Sequence, residues 1–315
     1  KGGVNPTDGT AERFAIFSEN VFRNGPWEIT AGLRASSYSL EGQASRGPID
    51  IDDRAIDPKL TVAYQANDWL QPYVTLSRGT RAPTLQETML GGTHPGGGIG
   101  MIANPELQSE TEEGYEIGVN LTREGLFAGN DSLRGRLNYY NMDVENYVVA
   151  DLSFTNAFGQ TGAAFVNVPG TSRTQGVELE LTYSQPFFDI GLSYTHNDSD
   201  LPSQTPGLGA GQYLPDDTVS LRVAQHLMDG RVTLGANYTY VSGGLYTDTF
   251  TSTPYQRDES YDLVDLFASY ELTQDAVVYA KVTNVFDEVY APWLSASASE
   301  NGRGRTLHVG ATLKF

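Results

Sequence analysis

The sequence predicts an all-β chain folded as a transmembrane antiparallel up-and-down β-barrel. Three observations predict it. Apolar and polar residues alternate with period two along most of the 315 residues. The connections between those segments alternate short and long. No window approaches the roughly 18 consecutive apolar residues of a spanning helix.

In chain order the pattern marks about thirteen strands, at 11–23, 27–40, 56–66, 69–79, 110–123, 132–147, 172–184, 187–197, 215–226, 231–242, 260–272, 276–283 and 304–315. Leu60, Val62 and Tyr64 alternate with Thr61, Ala63 and Gln65. Leu70, Pro72, Val74 and Leu76 alternate with Gln71, Tyr73, Thr75 and Ser77. Tyr115, Ile117, Val119 and Leu121 stand against Glu116, Gly118 and Asn120, and Val177, Leu179, Leu181 and Tyr183 against Glu178, Glu180 and Thr182. Val232, Leu234, Ala236 and Tyr238 repeat the pattern, and Leu307, Val309, Ala311, Leu313 and Phe315 close it. One apolar and one polar face per strand suit a wall with lipid outside and water inside.

Short connections fall at Asn24-Gly25-Pro26, Asn67-Asp68, 124–131, Ser184-Gln185-Pro186, Met228-Asp229-Gly230 and Thr273-Gln274-Asp275. Long ones fall at 41–55, 80–109, 148–171, 198–214, 243–259 and 284–303. Membrane barrels have short periplasmic turns and long extracellular loops. On that pattern the last strand ends at the periplasm and the first begins outside, with residues 1–10 in an extracellular loop. An odd strand number that starts outside cannot close alone. The expectation is one portion, 1–315, of a single barrel domain of about 22 strands, with its N-terminal part and an internal plug outside this sequence.

The formal charge of −19 lacks the basic stripe that nucleic acid requires, so no nucleic-acid partner is expected. The absence of cysteine suits passage through an oxidising compartment and excludes a thiol nucleophile, a disulfide framework and a cysteine metal site. The 18 tyrosines and 34 glycines suit a membrane barrel and equally a secreted β-protein. The start KGGVNPTDGT has neither the basic residues followed by an apolar core of a signal peptide.

Several motifs occur in order. Asp57-Pro58-Lys59-Leu60 opens a strand, and Asn167-Val168 precedes Gln175-Gly176-Val177-Glu178. Asn284-Val285-Phe286-Asp287, Tyr290 and Gly302-Arg303-Gly304-Arg305 lead to a terminal Phe315. In the longest loop, Arg81-Ala82-Pro83 and Asn104-Pro105-Glu106-Leu107 bracket Gly91-Gly92-Thr93-His94-Pro95-Gly96-Gly97-Gly98. Together these resemble the C-terminal part of TonB-dependent outer-membrane receptors, with paired boxes similar to "FRAP" and "NPNL". Thr80 stands where the first box has Phe, and Glu106 where the second has its second Asn. A histidine between the boxes resembles the haem and haemophore receptor subgroup.

That resemblance implies a transporter and no enzyme, in the outer membrane of a Gram-negative bacterium. It implies haem as the transported ligand, with no catalytic cofactor, and His94 as an axial ligand of the haem iron. Arg81, Pro83, Asn104 and Pro105 would flank the ligand site. Its partners would be outer-membrane lipid and lipopolysaccharide, an inner-membrane TonB complex reached through the absent part, and a haem-carrier protein. Two alternatives stay open: a ferric-siderophore receptor in which His94 is an ordinary loop histidine, and a structural or adhesive barrel.

Other candidates have plainer readings. His196, His226 and His308 sit singly on strands. Glu178 and Glu180 share a face, as an acid/base dyad would, but also as a hydrated wall would. Tyr246, Phe250, Tyr255, Tyr290 and Trp293 could stack on a ligand or a partner, and Tyr290 and Trp293 equally suit an interfacial girdle. The Gly91–Gly100 run lacks the Lys and helix of a phosphate cradle. No nucleophile elbow or zinc-enzyme motif appears.

Overall fold

A computed structural model describes residues 8–44, 47–93, 100–157, 159–201, 214–243, 245–247, 254–256, 260–292 and 301–314. Strands form where the alternation runs, because the pleat sends successive side chains to opposite faces. The reversals use residues that tolerate left-handed backbone. Gly25 takes φ 58° at no Cβ cost and, with Pro26, joins two strands whose ends pair as Asn24↔Trp27.

Among the described residues thirteen strands make up the main sheet: β1 (Gly9–Asn24), β2 (Trp27–Ala44), β3 (Gly47–Tyr64), β4 (Leu70–Arg81), β5 (Glu110–Glu124), β6 (Ser132–Glu145), β7 (Thr171–Gln185), β8 (Phe188–Ser199), β9 (Asp217–Leu227), β10 (Val232–Val241), β11 (Tyr261–Thr273), β12 (Ala276–Thr283) and β13 (Thr306–Leu313). They form one antiparallel sheet in sequential order, with no Greek-key crossing. Among the described residues β1 pairs only with β2 and β13 only with β12, so the sheet keeps two free edges.

The registers sort the residues as the alternation predicts. Leu307, Val309 and Leu313 are 66%, 73% and 59% exposed, and Leu33, Leu76 and Ile117 are 53%, 54% and 54% exposed. A continuous face of bare aliphatics is what lipid covers. On the other face Glu178 lies opposite Asn138 and Glu180 opposite Arg136. Thr61 and Thr75 hydroxyls meet there at 2.9 Å. His308 pairs in register with Lys281, whose ammonium meets Asp265 at 2.9 Å. Phe315 lies outside the described residues.

Two expectations about loops change. Segment 41–55 is not a loop: β2 and β3 pair without interruption from Trp27↔Tyr64 to Ala44↔Gly47. The alternation continues through it, with Leu40 and Ile49 on one side and Glu41 and Asp50 on the other. Each strand has 18 residues, about 60 Å at 3.3 Å per residue. The hydrocarbon layer is only about 30 Å thick, so the upper part of this hairpin stands clear of it. Segment 148–171 also folds, as an antiparallel hairpin of Val148–Thr155 and Thr161–Asn167.

Aromatic rings lie over glycines of neighbouring strands and thicken the wall. A Cβ on Gly118 would sit 2.4 Å from the Tyr73 ring, and one on Gly235 2.3 Å from Phe267. Tyr73 is held in that pose by donating to Asn138 at 2.9 Å and accepting from Arg136 Nε at 2.8 Å. At the short-turn end, Asp131 organises the β5–β6 turn. Its carboxylate accepts the backbone N–H groups of Leu126, Phe127 and Ala128 at 2.6, 2.8 and 2.8 Å, and the Tyr183 hydroxyl at 2.8 Å. Burial favours the neutral acid, but the Tyr183 hydroxyl and the three N–H donors outweigh it and hold the pKa at about 2.

Two outcomes are expected. Gly118→Val should displace Tyr73 and reduce the yield of folded barrel, read as loss of the heat-modifiable band on unboiled gels. A depressed folded-state pKa stabilises above the unfolded value, near 3.8, and this contribution fades as pH falls toward 2. Asp131→Ala should therefore lower the unfolding midpoint at pH 7, with the gap to the parent narrowing at pH 2–3. A constant gap would show that the carboxylate charge is not what holds the turn.

Candidate functional site

The β4–β5 connection folds upon the polar face at the long-loop end. Thr84 caps a one-turn helix, α1 (Leu85–Met89), and Glu87 returns to the Thr84 N–H at 2.8 Å, a reciprocal capping box. Leu85 and Met89 pack on the upper ends of β1 and β2, where Gly9 and Gly42 leave room for the Met89 sulfur. Tyr38, Leu40, Ala44 and Ile49 close around Met89 and Ala103 as a small core, joined by Ile51 and Ala82. The long hairpin thus becomes a wall for the loop to bury against.

Arg81 is the main polar joint. It stands opposite Glu110 at the last β4–β5 pair, and its Nε donates to that carboxylate. Its Nη1 donates to both Glu87 oxygens at 3.1 and 3.0 Å. Glu110 also accepts the Val148 N–H at 2.6 Å. One guanidinium therefore joins β4, β5, α1 and the Val148–Asn167 hairpin. A permanently charged, forked donor suits that role better than an ammonium.

Pro83 is fully buried, and its carbonyl accepts the Tyr38 hydroxyl at 2.5 Å. Asn104 is buried and fully used. Its N–H donates to Thr88 at 3.0 Å, its Nδ2 to Phe165 at 2.8 Å, and its Oδ1 accepts the Glu106 N–H at 3.0 Å. Pro105 follows, half-buried. The two boxes are thus brought together as brackets whose polar groups are largely taken up by the protein itself, while Arg81 Nη2 is buried with no hydrogen-bond partner among the described residues.

Between the brackets, Gly92–Thr93 and Gly100–Met101 pair antiparallel, and Met101 pairs parallel with Ala163. These strands and the Val148–Asn167 hairpin make a four-stranded sheet above the wall. Asn156, on that hairpin, donates to the Ala103 carbonyl at 2.9 Å, and Asn167 to the Gln108 carbonyl at 3.0 Å. His94 lies outside the described residues; the strands that lead to and from it are paired.

The sequence reading missed the hairpin as the partner of this loop. Its signals were Asn156, Asn167 and the two short apolar runs beside them. The remaining candidates are structural. His226 Nε2 meets Asp189 at 2.7 Å, and His196 Nδ1 meets Asp217 at 3.0 Å. Tyr290 stacks on Tyr261 with centroids 4.7 Å apart, over Gly302. Phe250 and Trp293, and the side chains of Tyr246 and Tyr255, lie outside the described residues.

The family profile described as TonB dependent receptor-like, beta-barrel matches residues 2–285. The chain belongs to that family. Its members are transport receptors, not enzymes. Among relatives of this TonB-dependent receptor chain, a heme/hemopexin utilization protein C of Haemophilus influenzae is 24% identical over 306 residues, covering 91% of this chain and 41% of that protein. Among solved structures, the Serratia marcescens hemophore receptor HasR, in complex with its hemophore HasA and heme, superposes with a TM-score of 0.79 at 24% identity. That match covers 98% of this chain and 52% of HasR. A ferric enterobactin receptor of Pseudomonas aeruginosa superposes at 0.70 with 18% identity, covering 97% and 45%. At these identities the structures establish the fold. The chain spans about half the length of the proteins it matches, or less.

The brackets give a direct expectation. Asn104→Ala leaves the buried Phe165 carbonyl without its donor, at a cost of about 1–3 kcal/mol. In the folded receptor, segment 84–106 should become several-fold more sensitive to limited proteolysis, with the sheet intact by circular dichroism. Unaltered cleavage there would remove Asn104 from this role.

Proposed function

We propose that this chain forms the C-terminal barrel strands of an outer-membrane receptor that imports haem. In this reading the remaining strands, to a total of about 22, and an internal plug complete the barrel, surrounded by lipid and lipopolysaccharide. An inner-membrane TonB complex drives uptake through the plug, and a haem-carrier protein delivers the cargo. Haem is cargo here, and the chain does no catalysis. His94 is one axial ligand of the iron. Arg81, Pro83, Asn104 and Pro105 hold its segment in place, and the second ligand comes from the plug.

The observation that carries the reading is the platform. The segment with His94 leaves and rejoins a folded four-stranded sheet through paired strand ends. A histidine on such a tether is positioned at little entropic cost, as a metal ligand needs to be. The relative named for heme/hemopexin utilization and the fold match to a heme-bound hemophore receptor support the same cargo. The fold match to a ferric enterobactin receptor supports a second reading, ferric-siderophore import.

Titration of the purified receptor with haem, followed at the Soret band, separates the two. Under haem import, His94→Ala shifts the band and weakens binding by roughly tenfold or more, while assembly is unchanged because a loop tip contributes little to the fold. An unchanged spectrum together with tight binding of a ferric siderophore would favour the second reading.

A further inference from the structure

Inside the sheet, away from its free edges, the wall parts between β3 and β4. These strands pair only from Ala63↔Tyr73 to Lys59↔Ser77, although β3 begins at Gly47 and β4 continues to Arg81. The cause is Pro58. Gln65 donates its N–H to Pro26 and Ala66 donates to Leu70, so the even-numbered residues of β3 turn their backbone groups toward β4. Pro58 is the next even residue above Leu60, its partner in register would be Arg78, and it has no N–H to give. Above that point side chains hold the two sides together. The Thr80 hydroxyl donates to Asp57 at 2.7 Å, and the Ser109 hydroxyl donates to Asp53.

The parting leaves a groove in two parts. The upper part, about 620 Å³, is lined by hydrogen-bonding side chains, Arg54, Arg78, Thr80, Gln108 and Asn146 among them. The lower part, about 710 Å³, is lined mainly by Ile56, Pro58, Leu60, Leu76 and Tyr115. Ile56 and Arg78 line both, so the two parts are continuous. The depth of the groove follows from strand geometry. Tyr64, at the short-turn end, stacks on Trp27 with centroids 4.7 Å apart. From Tyr64 up to Arg54 is about 33 Å along the strand, or about 25 Å in height at a barrel's tilt, the height of the lipid-covered band. The groove therefore crosses the outer boundary of the hydrocarbon, apolar below and hydrogen-bonding above.

Asp52 and Glu113 stand beside Arg54 and Arg78, so the rim of the groove is balanced in charge, and its selectivity comes from shape and hydrogen bonding. Among the described residues neither arginine side chain has an ion pair or a hydrogen bond. A phospholipid would fill the lower part and leave the amides and hydroxyls above it unmatched. An extended peptide would match the upper part and carry unpaired backbone groups into the apolar one, at high cost. An acylated, phosphorylated sugar matches both. We infer that the groove between β3 and β4 binds lipopolysaccharide, with an acyl chain on Ile56, Leu60, Leu76 and Tyr115 and the phosphorylated sugar on Arg54, Arg78, Gln108 and Asn146. The inference rests on the outer-membrane setting of the proposed function and does not depend on the cargo.

The test titrates the purified, delipidated full-length receptor with lipopolysaccharide or with phosphatidylglycerol and reads binding by native mass spectrometry. The parent should hold lipopolysaccharide about tenfold or more tightly than phosphatidylglycerol, and the double variant Arg54→Gln, Arg78→Gln should lose that preference. Arg78→Gln alone serves if the double variant does not assemble. Arg173 shares a register row with Arg78, lies outside the groove and pairs with Asp143. Arg173→Gln should leave the preference intact. Equal binding of the two lipids by the parent would make the groove an ordinary lipid contact. An undiminished preference in the double variant, or an equal loss in Arg173→Gln, would remove the groove from recognition; each overturns the inference. Haem titration of the same samples keeps the two proposals apart. If the parent prefers lipopolysaccharide and binds no haem, only the cargo reading fails; if it binds haem and shows no preference between the lipids, only the groove does.

Discussion

Unpaired backbone polar groups cannot be left in hydrocarbon, where each costs several kcal/mol. Everything else in this chain is arranged around that constraint. Thirteen strands satisfy one another in strict sequential order, and only β1 and β13 present an unmatched side. Sequential pairing keeps the turns at one end short, and Gly25 and the Asp131 cage close two of them tightly. Additional structure can then accumulate only at the other end.

That accumulation is what creates the site. The β2–β3 hairpin extends beyond the thickness of a membrane and offers Tyr38, Leu40, Ala44 and Ile49 as an apolar surface on an otherwise hydrophilic face. A loop of about thirty residues left in solvent would be expensive to order. Here Met89, Pro83 and Arg81 bind it to the wall, and Asn104, Asn156 and Asn167 bind it to the neighbouring hairpin. The two motifs on either side of His94 clamp the loop, with most of their polar groups occupied and Arg81 Nη2 left without a hydrogen-bond partner among the described residues.

The polar face also carries pairings of its own. Between β4 and β7, Tyr73, Asn138, Arg136 and Glu116 satisfy one another. On β1 and β2 Arg23 pairs with Glu28, and Arg13 rests over the Tyr38 ring.

The strands of the main sheet, their number, the face each residue takes and, apart from 41–55, the alternation of turn lengths were legible in the sequence, because a two-residue period and short polar reversals are local properties of the chain. Leu307, Val309 and Leu313 point away from His308 for no reason beyond the pleat. The motifs around Arg81 and Asn104 marked where the loop matters. What tertiary structure alone decided was how the loops fold. Arg81 meets Glu87 and Glu110, and Asn104 meets Phe165, across separations of 6, 29 and 61 residues that no local pattern encodes. Segment 41–55 looked like a loop because its charges, Asp50, Asp52 and Asp53 among them, hid an alternation that counts only once a partner strand lies beside it. Strand formation depends on near neighbours in the chain, whereas the site depends on which distant polar groups must satisfy one another when buried.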